Sequence, residues 1–374
     1  MDMSAMPHAR RIREEAPDAH LSRAIAMARV ICILGIVYVH AWTGRNGHDL
    51  QMLDHTSQGM LRWALIELMG RSSVPLLSMI SGWLVAPSIA RRGARPFLAG
   101  KLRTVFVPMV LWNALAIVLV SGAALAGWIY APQPVSVWWV VNELLCLITP
   151  DDINVQIPFL RDLFLCMLAV PLLVRGSDRA LLGVAGFALV WSLAPVWVPV
   201  LLRPSILLFF VAGMVARRHG LAAWMGSRPL VLVALPYVAM AAVRIWLEES
   251  GAGGGPGHPV FLSGIDLVMR GATAIFFWAL AWRLAESPIA PLLRRVEPYM
   301  FLAFCAHLIM IWLAGPLIGR ISGPIGSPLY PLFLLVQPLL VLGGSLALGR
   351  GLLRVAPAGA YLLSGGRLGG QKPA

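Results

Sequence analysis

Charge is scarce in this chain. Asp, Glu, Lys and Arg together make up 13% of its 374 residues, about half the share usual in soluble domains. At this length a soluble protein would divide into two or three domains, yet apolar runs recur end to end and leave no stretch for a separate hydrophilic domain. Cysteine is also sparse. The four present, Cys32, Cys146, Cys166 and Cys305, show no CxxC or CxxH spacing, so neither a metal module nor a disulfide framework is expected. Three lie inside apolar runs, where they pack as small apolar residues. Acidic residues number 17 against 30 basic ones, for a net charge of +13. No basic stripe with interleaved aromatics accompanies that excess, so nucleic acid is not expected as a partner. Gly251-Ala-Gly-Gly-Gly-Pro-Gly257 does not continue into Gly-Lys-Ser and reads as a flexible loop without phosphate-binding features. Heptads and internal repeats are lacking too.

What remains is apolar. Hydrophobic residues make up 59% of the chain, in about ten runs near 24–42, 61–86, 104–130, 157–174, 180–200, 203–216, 228–247, 262–282, 299–318 and 329–352. Runs of this length match a bilayer core of about 30 Å; the sixth is short enough to be re-entrant or to thin the bilayer locally. The expectation is an all-α polytopic integral membrane protein with about ten transmembrane helices. With a cytoplasmic N-terminus, the inner segments collect most of the Lys and Arg, including Arg10, Arg11, Arg13, Arg91, Arg92, Arg95, Arg294 and Arg295. That is the positive-inside pattern, and it puts both termini in the cytoplasm. The division is then a cytoplasmic segment over 1–23, a transmembrane domain over 24–352 and a cytoplasmic tail over 353–374. The first run lacks a small-x-small cleavage site and is too long for a secretion signal, so it reads as a retained span.

The polar residues within spans carry the functional information, because ionisable groups in a bilayer persist mainly where they face protein or a wet cavity. Arg29 and His40 are eleven positions apart in the first span. At about 100° per residue they share a helix face, about 16 Å apart along the axis. In the second span Arg71, Pro75, Ser78 and Gly82 form one stripe with Ser81 beside it. Arg71 either pairs with Glu67 one turn before or lines a polar cavity. Asp266 and Arg270 are again four apart and read as an intrahelical pair. His307 lies well inside the ninth span, where a lone histidine often serves helix–helix hydrogen bonding. His48, His55 and His258 fall in loops with no pattern. Pro132–Pro158 includes the longest outer connection, and within it Val135–Leu147 reads as a short interfacial helix with Trp138 and Trp139 as belt residues.

These pieces together resemble the acyltransferase-3 family of membrane acyltransferases. Arg29, ten residues, then His40 is similar to that family's first-span signature. Val74-Pro-Leu-Leu-Ser-Met-Ile-Ser-Gly-Trp83 resembles its Val-Pro-x-x-x-x-x-Ser-Gly segment, with Arg71 just before it. Lys101-Leu-Arg-Thr-Val-Phe-Val-Pro108 is similar to its basic entry to the third span, and Pro158-Phe-Leu-Arg-Asp-Leu163 to a Trp-Phe-Leu-x-x-Leu element. Met300-Phe-Leu-Ala-Phe-Cys-Ala-His307 resembles the late Ser-Tyr-x-x-Tyr-Leu-x-His stretch. The chain departs from the pattern at Pro158, where Trp is usual, and at Met300, Phe301 and Phe304, where Ser and two Tyr are usual.

The resemblance implies transfer of an acyl group, acetyl preferred and succinyl second, from cytoplasmic acyl-CoA to a hydroxyl of an envelope or exported saccharide or glycolipid. The location implied is the bacterial inner membrane, with polysaccharide synthesis proteins as partners and no permanently bound cofactor. Such chemistry needs a base, since a neutral hydroxyl is a weak nucleophile, and histidine suits neutral pH. His40 either takes the proton directly or is itself acylated. His40 and Arg29 are therefore the expected catalytic residues, with Arg71, Ser81 and Arg103 binding the donor. Glu143, Asp162 and His307 are expected to support the site or touch the acceptor. Arg29 would serve the donor's phosphates or neutralise an acid such as Asp162 or Asp266. Arg91, Arg92 and Arg95 read first as topological charge. Two other classes stay open. One is a secondary transporter, which would be expected to show repeat-related halves; the other is a non-catalytic membrane component of a polysaccharide assembly.

Overall fold

A computed structural model describes residues 19–41, 53, 56–70, 73–194, 198–249, 258–323 and 326–369. Among the described residues there is helix and no strand. In chain order the principal helices are α1 (Ala19–Val39), α2 (Ser57–Trp63), α3 (Ser73–Arg92), α4 (Ala94–Lys101), α5 (Val107–Ala116) and α6 (Val137–Leu145). They continue with α7 (Pro158–Leu173), α8 (Asp178–Leu193), α9 (Ser205–Arg218), α10 (Leu230–Glu249) and α11 (His258–Leu284). The last are α12 (Ala290–Val296), α13 (Met300–Ser322), α14 (Tyr330–Val355) and α15 (Pro357–Leu363). The rule that a bilayer leaves no water for backbone groups explains the helical content: a helix satisfies every interior N–H and C=O within its own segment.

Among the described residues, seven helical stretches are long and apolar enough to cross a membrane. They correspond to the first, second, third, seventh, eighth, ninth and tenth apolar runs. The fourth, fifth and sixth runs also fold as helices, but α7 and α8 have 16 residues each and α9 has 14. At 1.5 Å per residue these span about 21–24 Å, short of a full hydrocarbon core of about 30 Å. The chain is a multi-pass membrane protein. Its outward faces agree with that: Val231, Leu235 and Val238 of α10 and Leu172 of α7 are all more than half exposed, a pattern that only a lipid surround makes cheap.

α1 is the central helix. Ala24, Met27, Ala28, Val30, Cys32, Ile33, Ile36 and Val37 are buried in turn around its circumference, as expected for a helix apolar on every side. It packs against α3, α11 and α13. The closest helix pair is α3 with α9, and small residues make it possible. A Cβ on Gly82 would sit 1.8 Å from the Phe210 carbonyl oxygen, and one on Gly213 would sit 2.0 Å from that of Met79. Close backbone approach through small residues is the usual way membrane helices gain packing energy, lipid being as apolar as leucine.

Three stretches widen into π-helical turns: Ala64–Gly70, Leu102–Phe106 and Ile117–Ser121. The short helix expected over 135–147 is present as α6. Ser136 caps it by accepting from the Trp139 N–H, and Cys146 ends it in the left-handed region at φ 51°. Trp138 is half exposed, while Trp139 donates its indole N–H to Asp152 at 2.7 Å. All four cysteines are buried and unpaired, as their apolar surroundings suggested. The Gly251–Gly257 stretch, Arg71, His48 and His55 lie outside the described residues.

Candidate active site

Two cavities lie along α1, one at its C-terminal end and one beside its middle. The larger, about 480 Å³, contains His40. Ile66 and Gly70 from the first π-helical turn form part of its wall, so the widened backbone there leaves room beside the histidine. Most of its polar lining comes from three places. α11 contributes Ser263, Asp266 and Arg270, which share a face at helical spacing; the start of α9 contributes Arg203 and Ser205; and Gln156 comes from the turn before α7. The Asp266–Arg270 pair closes at 2.7 Å, as its four-residue spacing implied. Both members face the cavity, so the pair is more than an internal neutraliser.

Asp162 explains how Arg203 is held. Its carboxylate is fully buried and accepts from the backbone N–H groups of Leu202 at 3.2 Å and Arg203 at 2.8 Å, and from the Arg161 guanidinium at 2.7 Å. With its acceptor sites taken, Asp162 serves as a positioning residue for the α9 entry and is not a partner of Arg29. Gln156 is buried, donates to the Phe304 carbonyl oxygen at 3.4 Å, and leaves its own side-chain oxygen without a partner among the described residues. A buried unsatisfied acceptor in a cavity wall is a costly feature that a bound hydroxyl would satisfy.

His307 comes from α13 and stands beside His40, with ring centroids 5.4 Å apart. It is fully buried. Its Nδ1 lies 2.8 Å from the Phe304 carbonyl oxygen one turn earlier. A carbonyl only accepts, so Nδ1 carries the hydrogen and Nε2 presents a lone pair. That Nε2 has no hydrogen-bond partner among the described residues.

The smaller cavity, about 150 Å³, contains Arg29. The partner of Arg29 is Glu297 at 2.8 Å, not Asp162 or Asp266. Glu297 lies in the 3₁₀ turn Glu297–Tyr299 that leads into α13, where the sequence hides it next to basic residues that read as topological charge. Ser81 lines this cavity, together with Lys101, Thr104 and Arg367. Phe159 and Phe304 line both cavities, edge to face with centroids 5.9 Å apart.

Of the expected site residues, His40 lines the larger cavity with the buried His307 packed beside it, and Arg29 and Ser81 line the other. Arg103 is exposed and lines neither, and the exposed Arg91, Arg92 and Arg95 do not either. Glu143 is buried in the connection before α7, where it accepts from the backbone N–H groups of Asp152 at 2.9 Å and Ile153 at 2.8 Å. Burial lifts its pKa above the ordinary value against the pull of those donors. Glu143 therefore orders that connection and lines neither cavity. Sequence reasoning missed Arg203, Arg270, Gln156 and Arg367 as lining groups, and had Lys101 only as part of the basic entry to the third span. Arg203 had one local signal, its position just before Pro204 at a span start. The others needed the packing.

Comparison with known proteins places this geometry. The chain is 29% identical, over 96% of its own length and 95% of the other, to the succinoglycan biosynthesis protein ExoH of Rhizobium meliloti (strain 1021). No solved structure matches it. A family model described as an acyltransferase domain matches residues 23–349, a span that contains His40, His307, Arg29, Glu297 and both phenylalanines, and the chain belongs to that family, the acyltransferase-3 family.

Proposed function

We propose that this protein transfers an acyl group from acyl-CoA to a hydroxyl of an envelope or exported saccharide, with His40 at the reacting centre. The observation that carries this reading is the pair of cavities meeting at Phe159 and Phe304, one polar and holding His40, the other basic and holding Arg29. The His40 cavity has the chemistry of a sugar site: hydroxyls, an amide, a carboxylate and two guanidiniums around an apolar floor. The relative is named for the biosynthesis of a polysaccharide, succinoglycan, which favours a saccharide acceptor. Family membership weighs against the transporter and scaffold alternatives.

In the direct route, neutral His40 takes the proton of the acceptor hydroxyl as its oxygen attacks the thioester carbonyl. The new C–O bond forms, the C–S bond breaks, and the imidazolium returns the proton to the leaving thiolate. Free CoA and a saccharide ester result. In the second route His40 carries the acyl group between the two steps. The neutral His307 ring, its Nδ1–H spent on a backbone carbonyl, offers His40 an acceptor lone pair. Arg203 and Arg270 supply positive charge near the carbonyl oxygen as it gains negative charge.

The positive-inside pattern supports an assignment of sides. With ten spans, α7 to α9 included, and both termini cytoplasmic, Arg29 lies in the cytoplasmic half of the inner membrane, where acyl-CoA is found, and His40 lies toward the exported acceptor. The segments 1–23 and 353–374 flank a transmembrane domain over 24–352. Arg71 and Arg103 remain proposed donor-binding residues on sequence grounds, Ser81 on its place in the Arg29 cavity. The acyl group proposed is acetyl, with succinyl second, and polysaccharide synthesis proteins are the proposed partners.

The test is analysis of base-labile esters on the cell's saccharides, by mass spectrometry and NMR, with and without this protein. Loss of one ester species on deletion, restored by the wild-type chain and not by His40→Ala, is the expected result. Unchanged esters in the deletion strain would reject the reading.

A further inference from the structure

The family match ends at residue 349, but the chain continues through α15 into a glycine-rich turn that reaches the Arg29 cavity. α15 is anchored where the Trp112 indole donates to the Leu363 carbonyl oxygen at 2.9 Å. The turn beyond it is tightly specified. Gly365 and Gly366 take φ values of 60° and 78°, a region that favours glycine, and a Cβ on Gly365 would lie 2.3 Å from the Thr104 carbonyl oxygen. The Leu368 N–H donates to Ser364 Oγ at 2.8 Å, and Leu368 is buried. This hook sets the Arg367 guanidinium 4.0 Å above the Phe301 ring, in the wall of the cavity, with accessible surface left.

Arg29, Lys101 and Arg367 then share one small cavity, and Glu297 is the one acid among the described residues lining it. Glu297 is taken by Arg29 at 2.8 Å. That leaves Lys101 and the exposed Arg367 without an acid of their own among the described residues of that wall, and like charges gathered there repel until an anion joins them. Ser81 and Thr104 add neutral hydroxyls to the same wall. The volume of about 150 Å³ equals the space of roughly five liquid waters. A cavity this small takes a pyrophosphate and a thin chain only with the rest of a nucleotide lying outside it.

We infer that the tail residue Arg367, with Lys101 and Arg29, forms an anion site that seats the pyrophosphate of the donor, leaving the pantetheine arm to run toward Phe159 and Phe304. This inference rests on the acyl-CoA reading given above. It assigns a binding role to a segment beyond the family match, so the tail is part of the donor site.

The experiment uses the full-length protein in lipid nanodiscs and measures binding of CoA, of inorganic pyrophosphate and of pantetheine, which has no phosphates. Arg367→Gln is expected to weaken CoA and pyrophosphate binding at least about tenfold, equivalent to about 1.4 kcal/mol. It should leave pantetheine binding within about twofold, and Arg367→Lys should recover most of the loss. Lys101→Gln should give the same pattern and serves if Arg367→Gln fails to fold. Wild-type CoA binding in both Gln variants overturns the inference while leaving the acyl-CoA reading intact. An equal loss of pantetheine shows that Arg367 only holds the tail, which also overturns it. If the wild-type protein binds neither CoA nor pyrophosphate, the donor reading and this inference fall together.

Discussion

Phe159 and Phe304 stand edge to face, 5.9 Å between ring centroids, and each forms part of the wall of both cavities. Edge-to-face aromatic pairs hold their geometry through quadrupole complementarity as well as area. This pair is the partition between a basic chamber and a polar one. On the proposed reading, an acyl group moving from the Arg29 cavity to the His40 cavity would pass it.

Narrowing one ring tests the partition. Phe304→Leu keeps an apolar side chain and removes the flat edge, so water and donor reach each other more freely. The expected outcome is a severalfold rise in acceptor-independent thiol release from acyl-CoA, with transfer to acceptor falling. Thiol release followed with and without acceptor checks it, and an unchanged ratio of hydrolysis to transfer would remove the partition role. The core loss should stay near 1 kcal/mol because volume is largely kept.

His40 and His307 should separate by kinetics. His40→Ala is expected to lower kcat by roughly a hundredfold or more, the usual contribution of a positioned base, without a matching fall in melting temperature. His307→Ala removes a neighbour, and a loss of about tenfold in kcat with little change in KM is expected. If the two variants are equally inactive, His307 takes part in the proton transfer itself. If His40→Ala retains more than about a tenth of wild-type turnover, the assignment of His40 fails.

On the proposed donor reading, Glu297, which pairs with Arg29 at 2.8 Å, would compete with the donor for it. Glu297→Gln removes that competitor and is expected to lower KM for acyl-CoA a fewfold. The ion pair is partly exposed, 38% at Arg29 and 21% at Glu297, so its loss should cost no more than about 1 kcal/mol. A raised KM would show instead that Glu297 orients Arg29 for binding.

Asp151 gives a pH dependence with a definite sign. Burial first, and the neighbouring Glu143 charge second, push its carboxyl well above the ordinary value of 3.8. A carboxyl raised by folding binds its proton more tightly in the folded state, so stability is lost as pH rises from the unfolded value through the folded one. The connection before α7 should therefore be more stable at pH 5 than at pH 8. Asp151→Asn should flatten that dependence and raise stability at pH 8, by about 1 kcal/mol, since it removes a buried charge while keeping shape. Hydrogen exchange across residues 146–157 at several pH values reads this out; an unchanged slope in the variant would assign the effect elsewhere.

Several elements were legible before any coordinates. Arg29 and His40 show on one stripe because helix periodicity alone brings positions eleven apart to one face. Asp266 and Arg270 show for the same reason, and the capped helix in the connection before α7 follows from its flanking turn residues and tryptophans. Asp162 shows as an ionisable group in an apolar run, but its role as a clamp on the Leu202–Arg203 backbone does not. Glu143 read as an acceptor contact or a supporting residue, and its hydrogen bonds to the Asp152 and Ile153 N–H groups are visible only in the structure. α8 stops at Leu193, before its apolar run does, whereas α7 and α9 are short because their apolar runs are short.

What the sequence by itself determined is the solvent and the local order: scarce charge and recurrent apolar runs require helices in a bilayer, and the spacing within each run decides which side chains share a face. Those are properties of a few consecutive turns, and 3.6-residue periodicity suffices for them. Only the tertiary structure decided that His40 meets His307, that Arg29 pairs with Glu297 and that the tail brings Arg367 to Lys101. Each of these contacts joins segments far apart in the chain. They depend on which helix faces pack together, and that choice rests on close approaches such as Gly82 to Phe210 that no local pattern encodes.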